Sequence, residues 1–395
     1  MKRPIVFISH TLPYPPDKGE KIRAWHVIRH LARDHDVHLG CVTNTMPEPA
    51  QLAALREVTA SLGVFPIGRT RQKLRALFRA RPGRPLMPDF YHAPALARWV
   101  DAAFARTGAT RAYIFSVAMA PYALGRPGVR AVLDAMDIDS EKWRDYARDT
   151  GLPMRLVWAR EARTLLAYER LAASRAAITL FVSLPEADRF TALAPELAGR
   201  IATIGNGVDL EYFNPGHHFA DPFGGNRAAL VFTGHMDYRP NIDAATWFAL
   251  EVLPRLRQIH PLAEFWIVGA NPSAGVVGLG ARPGVRVTGR VEDTRPYLAH
   301  AATSVCPLRI ARGIQNKVLE AMAMGRPVVA SPGAYLGIDA ERGQALLVAE
   351  DAGQWVDALR DILDGQHPDM GKKARMAMAA NYAWPHVLRG LARYV

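Results

Sequence analysis

The chain has 395 residues, 49% of them apolar, with a mean hydropathy near zero and a formal net charge of +12. That size and composition suit two ordinary domains rather than a disordered chain, and no run of about 18 apolar residues marks a membrane span. The charge is uneven: residues 1–210 hold 30 Lys and Arg against 20 Asp and Glu, whereas residues 211–395 hold 19 against 17. The first half is therefore expected to face an anionic partner, a lipid surface or a phosphate-bearing acceptor; no nucleic-acid-binding motif accompanies the charge.

The apolar run 4–9 is too short for a signal peptide and leads into a proline-rich loop, so a cytoplasmic location is expected. Cys41 and Cys306 lie in apolar, strand-like runs and read as buried free thiols of a reducing compartment.

Residues 3–9 predict a buried first strand, and three prolines stiffen the loop 10–19 that follows. A helix over 20–33 offers Ile22, Trp25, Val27, Ile28 and Leu31 for packing. A strand, a turn containing Gly19 and a helix N-terminus together suit phosphate binding, although many α/β domains begin this way. Strands over 36–42 and 62–67 flank a helix over 50–60, and such alternation implies a parallel sheet. Residues 69–84 contain seven Lys or Arg and no acid, with Leu74, Leu77 and Phe78 at helical spacing. Two readings of this stretch stand side by side: a basic amphipathic segment lying on an anionic membrane, or an exposed basic helix with no specific partner.

Short strands over 112–116 and 131–133 come next, the second running into Asp134, Asp137, Asp139, Ser140 and Glu141. Three readings apply: metal chelation by Asp137 and Asp139; a carboxylate, Asp134 or Asp137, at a reaction centre; or a helix cap at Asp139 or Ser140. The cap leaves Asp134 and Asp137 unexplained. Residues 153–174 predict a long helix, 177–183 a strand, and Ser183 with Pro185 and Glu186 the cap of another helix. Asn206-Gly207 is a turn signal, and His217 and His218 read as solvated.

The second half starts with a strand over 228–233, a glycine turn at Gly234 and a helix over 242–259. Gly278, Gly280 and Gly284 miss the spacing of a dinucleotide fingerprint. The most informative stretch is 303–331: a strand over 303–308, a loop with Arg309, Arg312 and Gly313, a helix over 314–324, then a strand over 327–331. Lys317 and Glu320 are three apart and project from one side of that helix. Cations beside a helix N-terminus suit a diphosphate, and a carboxylate one turn on can accept two ribose hydroxyls. By itself a Lys-x-x-Glu pair is common and reads first as the solvated polar face of a buried amphipathic helix. A last strand over 345–348 and helices over 354–363, 372–381 and 384–394 complete the chain.

The string Pro307-Leu308-Arg309, Gly313, Lys317, Glu320-Ala321-Met322-Ala323, Gly325 and Pro327-Val328-Val329 resembles the signature of the retaining glycosyltransferases of family 4. Asn206-Gly207-Val208-Asp209 with Phe213 and Pro215 is similar to their inter-domain passage. The resemblance implies an α/β protein of the GT-B fold: two Rossmann-like parallel-sheet domains facing a cleft, with a C-terminal helix crossing back to the first. It places an acceptor-side domain at 1–206 with 383–395 returning to it, a linker at 207–227, and a nucleotide-sugar-binding domain at 228–382.

It also implies site residues. Glu320 would hold the ribose. Lys317, Arg309, Gly313 and Gly19 would surround the diphosphate, with His235 and Arg239 as further phosphate candidates and Val291 and Glu292 beside the base. Asp134 or Asp137 would stand at the reaction centre, where the family often carries a His-Asp pair, and Lys317 would assist departure of the diphosphate. Many members carry a second Glu where this chain has Arg312. No metal or other cofactor is expected, since cations replace it and D-x-D metal sites belong to another glycosyltransferase fold. The expected reaction moves a sugar from a nucleotide-diphosphate donor to a glycan or polyprenyl-linked acceptor, as in similar enzymes of bacterial exopolysaccharide clusters, with 69–84 as the stretch that would hold such an enzyme on the membrane. The alternatives are a nucleotide-sugar epimerase of the same fold and a non-catalytic nucleotide-sugar-binding protein.

Overall fold

The computed structural model describes residues 2–68, 72, 81, 83–311 and 313–395. Arg312 and most of the basic stretch 69–84 therefore lie outside the described residues. The chain divides into two compact units, Met1–Gly205 with Leu388–Val395, and Asn206–Val387.

In the first unit the strands are β1 (Arg3–Ser9), β2 (His35–Thr43), β3 (Ser61–Pro66), β4 (Arg111–Phe115), β5 (Arg130–Met136), β6 (Ile178–Phe181) and β7 (Ile201–Thr203). They form one parallel sheet in the order β3-β2-β1-β4-β5-β6-β7. Helices cover it: α1 (Gly19–Leu31), α2 (Pro49–Val58), α3 (Pro94–Thr107), α4 (Asp139–Asp149), α5 (Met154–Arg175) and α6 (Leu184–Leu193). Strands covered on both faces read as continuous apolar runs; Ile5, Val6, Phe7 and Ile8 are all fully buried. The Ser183 hydroxyl accepts from the Glu186 N–H and caps α6 as its spacing predicts. Helix α4 begins at Asp139 without a side-chain cap, so the Asx/Ser cap does not form there.

The second unit has β8 (Ala229–Thr233), β9 (Glu264–Val268), β10 (Val285–Gly289), β11 (Thr303–Cys306), β12 (Val328–Ala330) and β13 (Leu347–Val348), again parallel, in the order β10-β9-β8-β11-β12-β13. Helix α7 (Arg239–Trp247) starts three residues earlier than expected and continues through a wider turn over Phe248–Val252 into Leu253–Ile259. Helix α8 (Arg295–His300) precedes β11, and α9 (Asn316–Ala323) links β11 to β12 with Val318, Leu319 and Met322 buried. Both cysteines are buried free thiols.

Each sheet reverses its order once, between β1 and β4 in the first unit and between β8 and β11 in the second. In open α/β sheets ligands bind outside the carboxyl ends of the strands at such a reversal. Those two places position the residues that follow.

Candidate nucleotide site

In the second unit the reversal brings together the loop after β8, the start of α7, the end of β11 and the first turns of α9. Gly234 and Gly269 end β8 and β9. A Cβ on Gly269 would stand 1.7 Å from the Gly234 carbonyl oxygen, and one on Gly234 2.7 Å from Asn241 Nδ2 and 3.1 Å from Lys317 Nζ. Only glycine lets these backbones and the Lys317 side chain close on one another.

Lys317 reaches into this corner from α9. Its ammonium donates to Asn241 Oδ1 at 2.6 Å and lies 4.5 Å from the centre of the Phe232 ring. Asn241 is itself fixed, because its Nδ2 donates to the His235 carbonyl at 2.9 Å. Burial lowers the Lys317 pKa, opposed by the Cys306 and Glu320 side chains. Burial also pushes the Glu320 carboxyl up to about 7, with Lys317 acting against it. The Glu320 side chain is half-buried, and its carboxyl has no hydrogen-bond partner among the described residues. A half-buried carboxyl left without a partner is unfavourable unless a ligand supplies one.

Arg309 follows β11 by three residues, and its Nε donates to Asp243 Oδ2 at 3.0 Å while Nη2 reaches Oδ1. In this state its charge is matched by a carboxylate from α7. Arg239 is the first residue of α7 and exposed, and His235 lies half-buried in the loop before it. Gly313 takes a left-handed φ of +60° just before α9. Lys317, Glu320, Arg309 and the backbone of His235 thus gather at one end of the sheet. Sequence reasoning missed Asn241 and Asp243, whose partners are 76 and 66 residues away along the chain; no local spacing marks them. Arg295, the first residue of α8, pairs with Asp293 in the loop before it and stacks on Tyr212, 3.9 Å from the ring centre. This is the loop that holds Val291 and Glu292.

The first unit has its own gathering at the β1–β4 reversal. Gly19 is the first residue of α1. His10 follows β1; its Nε2 is 3.2 Å from Glu20 Oε2, its ring stacks on Phe115, and the contact holds the Glu20 carboxyl below its usual range. Ser116 and Met136, at the ends of β4 and β5, have φ of +81° and +67°, a strained backbone of the kind that collects at functional sites.

Asp134 does not belong to this surface. Strand β5 runs to Met136, three residues beyond its expected end, so Asp134 stands inside the sheet and is fully buried. It accepts from Arg23 Nε at 2.8 Å, Arg23 Nη2 at 3.1 Å and the Tyr113 hydroxyl at 2.6 Å. Those bonds use its oxygens internally, so Asp134 holds the fold rather than a substrate. Asp137 lies just past the strand and is exposed. Burial pushes the Asp139 carboxyl up to about 6. Among the described residues no group of His, Cys, Asp and Glu is arranged to hold a metal ion.

Residues 227–365 match the family model described as "Glycosyl transferases group 1". The D-inositol 3-phosphate glycosyltransferase 2 of Catenulispora acidiphila is 27% identical over 206 residues, 47% of this chain and 48% of that protein. The D-inositol 3-phosphate glycosyltransferase of Mycolicibacterium smegmatis is 28% identical over 227 residues, 53% of this chain and 48% of that protein. The chain spans about half the length of the curated relatives it matches. Among solved structures, HepE of Anabaena in complex with UDP and glucose superimposes with a TM-score of 0.68 at 15% identity, covering 98% of both chains. WaaG, a glycosyltransferase involved in lipopolysaccharide biosynthesis, gives 0.67 at 15% identity, covering 99% of both. The fold is therefore GT-B, and the unit that holds Lys317 and Glu320 carries the match to glycosyl transferases group 1.

Proposed function

We propose that this protein is a retaining glycosyltransferase that moves a sugar from a nucleoside-diphosphate donor to a glycan or polyprenyl-linked acceptor, in the making of an exopolysaccharide. The observation that carries the donor side is the pair on α9. Lys317 and Glu320 stand one turn apart at the sheet reversal, both half-buried, with the carboxyl unpartnered among the described residues. Glu320 accepts the ribose hydroxyls. Lys317, Arg309 and the positive end of the α9 dipole hold the diphosphate and stabilise the charge it gains as the bond to the sugar breaks. Gly313 lets the chain turn into that helix, and Arg239 and His235 flank the phosphates. The acceptor hydroxyl attacks from the face the diphosphate leaves. Cations meet the charge of the leaving group, so no metal is assigned a step.

The match of 227–365 to glycosyl transferases group 1 and the UDP and glucose held by HepE support this reading. The acceptor side falls to the first unit, where His10, Glu20 and Asp137 border the β1–β4 reversal, and where the basic charge suits a site on the cytoplasmic face of a membrane. No described helix is long and apolar enough to cross one.

The test is Glu320→Ala, measured by calorimetric binding of UDP and GDP and by nucleoside diphosphate release across a panel of nucleotide sugars, with and without a lipid-linked acceptor. Loss of a charge-assisted pair of hydrogen bonds should weaken nucleotide binding roughly ten- to hundred-fold and cut transfer at least as much, with the thermal midpoint retained. Unchanged binding and turnover would remove the assignment.

A further inference from the structure

We propose that the turn between α4 and α5 in the first unit is a docking tip for an anionic lipid bilayer. This deepens the membrane side of the reading above and does not depend on the donor site.

Residues 151–157 are exposed without a break. Within them Leu152 is 73% exposed, Leu156 65%, and Met154 and Val157 are exposed as well. Four large exposed apolar side chains fall within six residues. Elsewhere among the described residues no six-residue stretch holds more than two. Single exposed apolar residues are ordinary, but a cluster on one exposed turn marks a contact with something apolar.

The residues behind the tip say what that something is. The Trp143 and Trp158 rings stack at 4.8 Å, and Tyr146 meets Trp143 edge-on at 5.7 Å. Indole and phenol rings, apolar in body and polar at one end, favour the headgroup level of a bilayer. Exposed cations lie along the same two helices: Lys142, Arg148, Arg155 and Arg163, with Arg148 paired to Asp145. The first turn of α5 contains no acid and does contain Arg155. A cation at a helix N-terminus is locally unfavourable, because the helix dipole already places positive charge there. An anionic partner turns that conflict into an attraction, and a local rule broken without local compensation is where function is expected.

The basic stretch joins the same element. Arg160, one turn from Leu156 on α5, donates from Nη2 to the carbonyls of Arg81 and Arg84, at 2.6 and 3.0 Å. The end of the most cationic segment of the sequence is thus held beside the apolar tip. A second copy of the chain would bring like charge to like charge, whereas an anionic bilayer supplies both the opposite charge and an apolar layer a few ångströms below it. The side chains of the tip enter that layer, and the arginines and lysine stay at the phosphates.

The experiment is vesicle flotation of the full chain with phosphatidylcholine vesicles, with and without about 30% phosphatidylglycerol, at low salt and at about 0.5 M salt. The double variant Leu152→Gln/Leu156→Gln is run beside the wild-type chain, with nucleotide binding and thermal midpoint as controls for folding. The wild type should float with anionic vesicles and not with neutral ones, and tryptophan emission should shift to the blue with protection from iodide. The double variant should partition roughly ten-fold or more weakly, since two leucine side chains no longer leave water. Absence of wild-type flotation overturns the proposal while leaving the donor site standing. Equal flotation of the variant, or unchanged tryptophan emission, assigns docking to the basic charge alone and overturns the tip. A self-association seen by sedimentation without vesicles, and lost in the variant, makes the occupant a second copy and overturns it too.

Discussion

A half-buried cation at the end of a sheet stays available to a ligand only if no carboxylate is hydrogen-bonded to it. Among the described residues Lys317 meets that condition, Glu320 acting on it only through space. Its neighbours are a neutral amide, Asn241, and the face of an aromatic ring, Phe232, which steady an ammonium without cancelling its charge. Arg309 is held differently, by the carboxylate of Asp243, and that bond keeps its pKa raised. A diphosphate must compete with Asp243 for Arg309 but not with Asn241 for Lys317. Asn241→Leu should therefore deprive the ammonium of its acceptor and lower its pKa further. In a calorimetric series of nucleotide binding against pH, the alkaline loss of affinity should begin at lower pH than in the wild type. Asn241→Asp should shift that limb upward and weaken binding by roughly ten-fold at neutral pH, because the new carboxylate takes the place of a phosphate oxygen. Identical pH profiles for Asn241→Leu and wild type would deny Asn241 its positioning role. At this scale the sequence was legible only within one helix: the spacing of Lys317 and Glu320 puts them on one face. The residues that set their charges arrive from another helix and carry no mark of it.

At the level of elements, α1 and β5 explain both a success and a failure of the sequence. The apolar spacing in α1 predicts its buried face: Val27, Ile28 and Leu31 are buried as expected, whereas Ile22 and Trp25 are only half-buried and Ala24 is buried in addition. The same face also buries Arg23, 1% exposed, which no rule of periodicity would place there. Arg23 makes the long β5 possible, since Asp134 can stand inside the sheet only opposite a cation. Its Nη1 further donates to the carbonyls of Ile204 and Gly205, at 2.9 and 2.8 Å, where the chain leaves β7 and reaches the end of the first unit. A reading of strands as apolar runs ends β5 at 133 for that reason, and so exposes a carboxylate that is in fact internal. Arg23→Met should leave the Asp134 charge uncompensated and lower the stability of the first unit by about 3–5 kcal/mol, whereas Arg23→Met/Asp134→Leu should recover most of the loss. Denaturant unfolding of the three proteins measures this. If Asp134 served at the reaction centre instead, Asp134→Asn would keep the midpoint of the wild type and lose turnover.

For the molecule as a whole, buried carboxyls outweigh other shifted groups above neutrality. Glu169 is almost fully buried on α5, accepts from the Ser140 N–H and hydroxyl at 3.1 and 2.5 Å, and is pushed up to about 8 by burial and by the nearby Asp139. Glu320 is pushed up to about 7 and Asp139 to about 6. A carboxyl raised in the folded state contributes stability in full below its unfolded pKa and loses it as pH rises through the folded value. His30, His35 and His38 are lowered by burial. Their contribution has the opposite slope, rising with pH until their ordinary value near 6.5 and flat above it. Glu20, lowered by His10, acts only at lower pH. Between pH 6.5 and 8, therefore, the folded protein still binds protons at Glu169 and Glu320 that the unfolded chain has released. Stability should fall across that window, by at most about 1.4 kcal/mol per pH unit for each group. Glu169→Gln keeps an oxygen for the Ser140 N–H and removes the titration, so its thermal midpoint should decline less between pH 6.5 and 8 than that of the wild type. Saturating nucleotide should flatten the remaining slope, because a ribose favours the ionised Glu320 that high pH supplies. A wild-type midpoint that rises across the window, or a Glu169→Gln slope equal to it, would show that these carboxyls are not held protonated by the fold.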